Sequence, residues 1–322
     1  MKIILITPAL PSSRAGNRVT AVRWKNILCE LGHKVVVKSD FNDIKQSAGS
    51  FDAMLALHSW RSASSINSFK LQFPEKPLIV ALTGTDLYKF IKSHPEPTLR
   101  SIKQADELIA LHDLAHLAIP KPYRKKVHVI YQSADFIKRK NNTHKRNFDV
   151  CVIGHLREEK DPLRAAYAVR KLPEHSRIRV KQYGKAHKPA WAVRANNEMQ
   201  TNVRYTWFNE VPHWKINQQY ANADLMVLSS KMEGGANVIS EACAAGMPVI
   251  ASKIDGSIGL LGKAYPGYYP YGDTQSLRTL LLKAETDSLY LNKLTRACKA
   301  KANLFTYKKE KNSMKKLINS FI

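Results

Sequence analysis

The chain is 322 residues long, 44% hydrophobic and 24% charged. That composition excludes a disordered or fibrous protein and leaves room for two globular domains of ordinary size. The formal net charge of +25 attracts anions, whether nucleotides, phosphate-bearing acceptors, nucleic acid or an acidic membrane; with no recognisable binding module or aromatic-basic platform, a nucleic-acid partner is not expected.

The opening run, MKIILITPAL, is short and ends in Pro11-Ser12-Ser13-Arg14. It reads as a first buried strand, Lys2–Thr7, rather than a signal peptide. The pattern predicts further strands at Lys34–Lys38, Asp52–Leu57, Leu78–Leu82, Glu107–Leu111 and Val127–Tyr131. Helical patterns lie between them, clearest at Val19–Leu31 with Gly32 as its stop. Ser133–Asn147 is polar and basic, and residues 136–147 read as a linker. The alternation then resumes, with strands at Asp149–Ile153, Arg177–Gln182, Val203–Trp207, Leu225–Leu228 and Pro248–Ala251, and a helix at Ala236–Ala245.

Short apolar runs separated by helices predict an α/β protein of two doubly wound parallel sheets. The expected division is residues 1–135, a linker, residues 148–300, and a last helix within 301–322. Two dense basic runs, Lys138–Arg146 and Lys308–Lys316, stand out. The second belongs to an amphipathic segment whose apolar positions (Met314, Leu317, Ile318, Phe321, Ile322) suit packing on protein; contact with a membrane surface is the less favoured reading. No apolar run is long enough to span a bilayer. Cys29, Cys151, Cys243 and Cys298 share no framework or metal spacing, so reduced thiols in a cytoplasm are expected.

The richest stretch is EGGANVISEACAAGMPVIAS, Glu233 to Ser252. Glu233 follows a strand, the pair Gly234-Gly235 follows Glu233, and a helix begins at Ala236. Glycines at a helix start let N–H groups approach a phosphate, and the helix N-terminus favours its charge. Ala236, Asn237 and Val238 would offer those groups. Glu241, one to two turns in, can reach ribose hydroxyls. The bland alternative is a surface helix with two acids, one near its N-terminus. The spacing resembles the E-x7-E signature of family 4 retaining glycosyltransferases, which use sugar nucleotides. That resemblance implies the two-domain GT-B architecture with a cleft between the domains, and a helix at the C-terminus crossing back to the first.

The stretch Ile153 to Pro162, IGHLREEKDP, opens a helix after a strand. The same family holds the donor diphosphate there with an arginine after the glycine and a lysine five residues on. Lys160 matches the lysine. His155 follows Gly154 where the arginine is expected, and Arg157 lies two residues on. Glu233, Lys160 and Arg157 are the expected catalytic residues, because the charge of a nucleotide diphosphate grows as it leaves. No Asp-x-Asp triplet occurs, so no metal and no cofactor are expected. His112 and His116 have the spacing of a zinc helix but lack a third ligand.

The first half would carry the acceptor, on loops past its strands. Arg14, Gly16 and Asn17 lie in the first loop, with Gly16 assigned to the donor. His58, Arg61 and Ser62 follow the third strand; Thr83, Thr85 and Asp86 follow the fourth; Gln132 and Ser133 follow the sixth. Helix capping is the competing explanation for Ser62 and Asp86. The LTGTD run resembles an HGTD run of glycosyltransferases that move GlcNAc onto small acids, with Thr83 in place of the histidine. Together, ALHSWRSA, LTGTDLY, VIYQSA, DVCVIGHLREEKDP, SSKMEGGANVISEA and GLLGKAYPGY resemble the selenosugar synthases of selenoneine biosynthesis. That resemblance runs through nearly the whole chain. It implies transfer of GlcNAc from UDP-GlcNAc to selenophosphate with release of UDP. A lipid or saccharide acceptor, a GT-B sugar-nucleotide epimerase and a non-catalytic nucleotide-sugar binder are the alternatives.

Overall fold

The structure, a computed structural model, describes residues 1–9, 16–43, 51–140 and 145–321. It divides the chain into two units. The first comprises Met1–Gln132, Glu233–Gly235 and Tyr307–Ile322; the second comprises Ser133–Met232 and Ala236–Thr306.

The first unit holds a six-stranded sheet of β1 (Lys2–Ile6), β2 (Lys34–Lys38), β3 (Ala53–Leu57), β4 (Leu78–Leu82), β5 (Glu107–Ala110) and β6 (Val127–Val129). The strand order is β2-β1-β3-β4-β5-β6, and every pair is parallel. These strands are apolar almost throughout because both faces are covered. Alternate residues serve opposite sides. Ile4, Ile6, Met54, Ala56, Val80 and Leu82 enter one core cluster; Ile3, Leu5, Leu55, Leu57, Ile79 and Ala81 enter the other. The second cluster is closed by Trp24, Ile27 and Leu28 of the helix Gly16–Glu30, and by Met314, Leu317 and Ile318 of the helix Tyr307–Asn319. The buried Glu310 ties the two helices together, accepting from Trp24 Nε1 at 2.8 Å and facing Arg23 Nε at 3.3 Å. Three of the five apolar positions read at the end of the chain are therefore core residues; Phe321 packs against them, and Ile322 lies outside the described residues.

The second unit holds β7 (Phe148–Ile153), β8 (Ile178–Tyr183), β9 (Tyr205–Trp207), β10 (Leu225–Leu228), β11 (Val249–Ser252) and β12 (Tyr268–Tyr269). Its order is β12-β11-β10-β7-β8-β9, again all parallel. The strand order reverses between β7 and β10. In the first unit it reverses between β1 and β3. Ligands of open parallel sheets sit outside the carboxyl ends of the strands at such reversals, so the topology selects four loops before any side chain is considered.

The expected strands hold to within a residue or two, with corrections at their ends. Val203 is 88% exposed and precedes β9 rather than joining it. β12, only two residues long, was not expected at all. The segment read as a linker is docked on the second unit. Arg139 donates to the carbonyls of Tyr220 (3.1 Å) and Ala223 (2.7 Å), and the Lys140 amide donates to Ala221. Lys145 reaches Asn222 O and Asp224. These cations bind the carbonyl end of the helix His213–Asn222, the end at which a helix dipole favours positive charge. Residues 141–144 lie outside the described residues. No described helix is long and apolar enough to cross a membrane.

Candidate active site

In the second unit, the loops after β7 and β10 meet because the strands pair directly. The Lys231 amide donates to Glu159 O at 2.9 Å. The β7 loop carries His155, Arg157 and Lys160. Lys185 N donates to His155 Nδ1 at 3.2 Å. A backbone amide can only donate, so Nδ1 is the acceptor and the ring proton sits on Nε2. Burial, and next His187, hold this imidazole below its usual range. His155 is thus a neutral N–H donor where the family resemblance placed a cation. Arg157 supplies a cation instead, and its Nε is buried with no hydrogen-bond partner among the described residues. Lys160 ends a short 3-10 turn, Glu158–Lys160. Asp161, left-handed at φ 41°, closes that turn. Its carboxylate accepts from Arg164 Nε at 2.7 Å, and Arg164 in turn reaches Thr274 Oγ1 at 2.7 Å.

The helix after β10 runs Asn237–Ala245, with Ala236 as its N-cap. Ala236 has no side-chain acceptor for the first-turn amides. Glu241 is half-buried on this helix, and its Oε2 accepts from Tyr220 Oη at 2.6 Å.

The three residues Glu233–Gly235 pack within the first unit. A Cβ on Gly234 would lie 2.3 Å from the Thr83 carbonyl carbon, and one on Gly84 2.6 Å from Gly234 N. A Cβ on Gly235 would meet Leu111 Cβ at 2.4 Å. The missing side chains of the glycine pair thus make room for protein, a job the sequence reading did not assign. Glu233 is buried beside them, 8% exposed.

The loops after β3 and β4 form one network. His58 sits in the left-handed region at φ 76° and is buried. Arg61 N donates to its Nδ1 at 3.2 Å, so Nε2 carries the proton and donates to Thr85 Oγ1 at 3.0 Å. Burial holds this imidazole low, against the opposing pull of Asp86. The Asp86 carboxylate is fully buried and accepts from the amides of Ser59, Thr83, Gly84 and Leu87. It clasps two loops together and is not presented to solvent. Ser62 does not cap its helix; its hydroxyl donates to Leu57 O at 2.7 Å. Arg61 is exposed and Thr83 half-buried. Gln132 donates to Thr20 Oγ1 at 2.5 Å. Ser133 is buried and belongs to the second unit. Gly16 begins the first helix, and a Cβ there would meet none of the described residues within 4 Å. Asn17 O accepts from Thr7 Oγ1 at 3.4 Å. Arg14 lies outside the described residues.

His112 and His116 do not form a zinc pair. They lie in and beside a 3-10 turn, Asp113–Ala118, where this spacing does not share a face. His112 Nε2 bonds Tyr88 Oη at 2.9 Å, and His116 Nδ1 donates to Asp113 O at 2.7 Å. Burial pushes His112 down to about 4. Among the described residues no group of three or more His, Cys, Asp or Glu could hold a metal.

Residues 133–303 match the model of the family described as glycosyl transferases group 1. The chain belongs to that family. Among curated sequences there is no match. Among solved structures, the chain is similar to Anabaena HepE in complex with UDP and glucose, at 16% identity and TM-score 0.78, over 99% of this chain and 100% of that one. It is also similar to a sucrose-phosphate synthase of Thermosynechococcus elongatus, at 16% identity and TM-score 0.81, over 99% and 98% of the two chains. The lipopolysaccharide outer core galactosyltransferase WaaB matches at 13% identity and TM-score 0.70, over 100% of both. The fold of this glycosyl transferase is GT-B, two parallel α/β sheets of six strands each. Tyr220, Arg164 and Asp161, which support the family's two signature stretches here, escaped the sequence reading; the only signal was the left-handed turn that an Asp after Glu-Glu-Lys could adopt.

Proposed function

We propose that this glycosyl transferase takes a UDP-sugar, UDP-GlcNAc, and transfers the sugar to selenophosphate. The observation that carries the donor half is the strand reversal at β7 and β10, which sets Arg157 and Lys160 beside the loop leading to Glu233. Two cations there would neutralise a departing diphosphate without a metal. Glu241, Gly154, His155 and the first turn of the Asn237–Ala245 helix would hold the nucleotide, with Glu241 on the ribose. HepE, whose structure holds UDP and glucose, supports a uridine donor.

The acceptor half rests on the motif resemblance. Selenium in selenophosphate is polarizable and already anionic, so it attacks the anomeric carbon without a general base. That agrees with the first unit, where His58 and Asp86 are buried and engaged in holding loops. The C1–O bond breaks, the C1–Se bond forms, and UDP leaves with the electron pair. Water then cleaves the selenium–phosphorus bond, giving the seleno sugar and inorganic phosphate. Arg61 is an exposed cation of that loop cluster, suited to the acceptor's phosphate oxygens. Free cysteines, three of them buried, are in keeping with a cytoplasmic protein.

The test is incubation with UDP-GlcNAc, with and without selenophosphate. UDP release that depends on selenophosphate, with a selenium-bearing sugar product, is expected. Hydrolysis or epimerisation without acceptor, or transfer only to a lipid or saccharide, would overturn the reading. Chelators are expected to leave turnover intact; loss in EDTA restored by a divalent ion would contradict the metal-free route.

A further inference from the structure

Glu241 carries a fixed partner on one of its two oxygens. Tyr220 Oη donates to Oε2 at 2.6 Å, and the phenol is fully buried. No described residue bonds Oε1. Tyr220 stands in the last turn of the helix His213–Asn222, and that turn is clamped. Arg139 spans the carbonyls of Tyr220 and Ala223, Lys140 N bonds Ala221 O, and Lys145 bonds Asn222 O. The core grips the ring and the basic segment grips its backbone, so the hydroxyl cannot follow a moving carboxylate. A glutamate on an exposed helix samples several rotamers, and ordering one costs free energy at the moment of binding. Burial, and next Glu241, raise the phenol well above its ordinary range, so it stays a proton donor at any working pH.

We infer that Tyr220 is a positioning residue, holding Glu241 by Oε2 so that Oε1 alone accepts from a ribose hydroxyl. The inference rests on Glu241 being the ribose carboxylate. It assigns the preference for ribonucleotide over deoxyribonucleotide donors to a tyrosine one helix away from the ligand. It also gives the basic segment before β7 a task beyond solubility, that of fixing the helix end from which Tyr220 reaches out.

The experiment compares binding of UDP and 2′,3′-dideoxy-UDP to the parent, Glu241→Ala and Tyr220→Phe, with a thermal melt of each. The parent should favour UDP by roughly ten- to a hundredfold, and Glu241→Ala should erase that preference. Tyr220→Phe should cut the preference about three- to tenfold while leaving dideoxy-UDP affinity unchanged. A parent without the preference, or a Glu241→Ala that keeps it, would sink the ribose assignment and the inference with it. If those two behave as stated, Tyr220→Phe overturns the inference alone in either of two ways. It could keep the parent's preference, or it could lose both ligands equally, as a merely structural residue would. If Tyr220→Phe does not fold, Arg139→Gln carries the same comparison, since it loosens the same helix end without touching the phenol.

Discussion

The two sheets have the same strand count and direction, yet their loops are finished differently. Past β3 and β4, polar groups largely satisfy one another, although Ser59 Oγ is buried with no hydrogen-bond partner among the described residues. His58 bonds Thr85 and the Arg61 amide, and Asp86 takes four backbone amides. Past β7 and β10, Arg157 and Glu241 are held in place with hydrogen-bonding capacity left over. Arg157 Nε has no hydrogen-bond partner among the described residues, and Glu241 is anchored by one oxygen, while Lys160 sits on a turn braced by Asp161 and Arg164. A buried donor without a partner costs free energy, and an anion bound beside it would offset that cost. On the proposed function, the second set of loops is the charged site for the donor. The first is a rigid frame that presents the exposed Arg61.

The sharpest way to break this contrast is at Lys160. Lys160→Ala should lower turnover by about 10²–10³, the loss typical of one donor to a developing charge. Its effect on UDP-GlcNAc affinity should be smaller. Unchanged turnover with weaker binding would reduce Lys160 to a positioning contact.

Asp86 tests the opposite side. Asp86→Ala leaves four amides without their acceptor, and about 3 kcal/mol of stability should go with it. Urea melts would show this, and UDP affinity should hold in whatever fraction stays folded. A variant as stable as the parent but deaf to selenophosphate would make Asp86 an acceptor ligand after all.

Acid probes the buried imidazoles. His58, His112 and His155 are all held low by burial. The unfolded chain therefore binds protons that the folded chain refuses, so stability falls as pH drops below about 6.5, the ordinary imidazole value. For His112, whose value is about 4, the loss approaches about 3 kcal/mol by the time pH reaches about 4. Comparing urea midpoints at pH 5 and 7.5 checks it, and His112→Gln should flatten the slope. An equal slope in parent and variant would contradict a neutral buried His112.

Much of the frame was legible in the sequence because strands buried on both faces spell continuous apolar runs. The placing of Glu241 on a helix that begins just past the glycine pair was legible because local spacing sets it relative to the helix start. What was hidden is directional and distant. Tyr220 looks like any core aromatic, and its bond to Glu241 crosses from one helix to another. Arg139 sits in a stretch whose polarity suggested a spacer, although its guanidinium caps a helix 81 residues away. Ser62 and Asp86 looked alike as cap residues. Only the loop geometry turns one toward Leu57 O and the other toward four amides. The glycine pair suggested a ligand, and the space it leaves is filled by Thr83, Gly84 and Leu111.

The division of labour between the two loop sets is tested most directly by calorimetric titration of UDP into the parent, Glu241→Ala and Arg61→Ala. Glu241→Ala should weaken UDP roughly ten- to a hundredfold, the loss of charged hydrogen bonds worth about 1.5–3 kcal/mol. Arg61→Ala should bind UDP within about twofold of the parent while needing more selenophosphate for the same rate. UDP binding by Glu241→Ala at parental strength, or a loss in Arg61→Ala as large as in Glu241→Ala, would contradict the account.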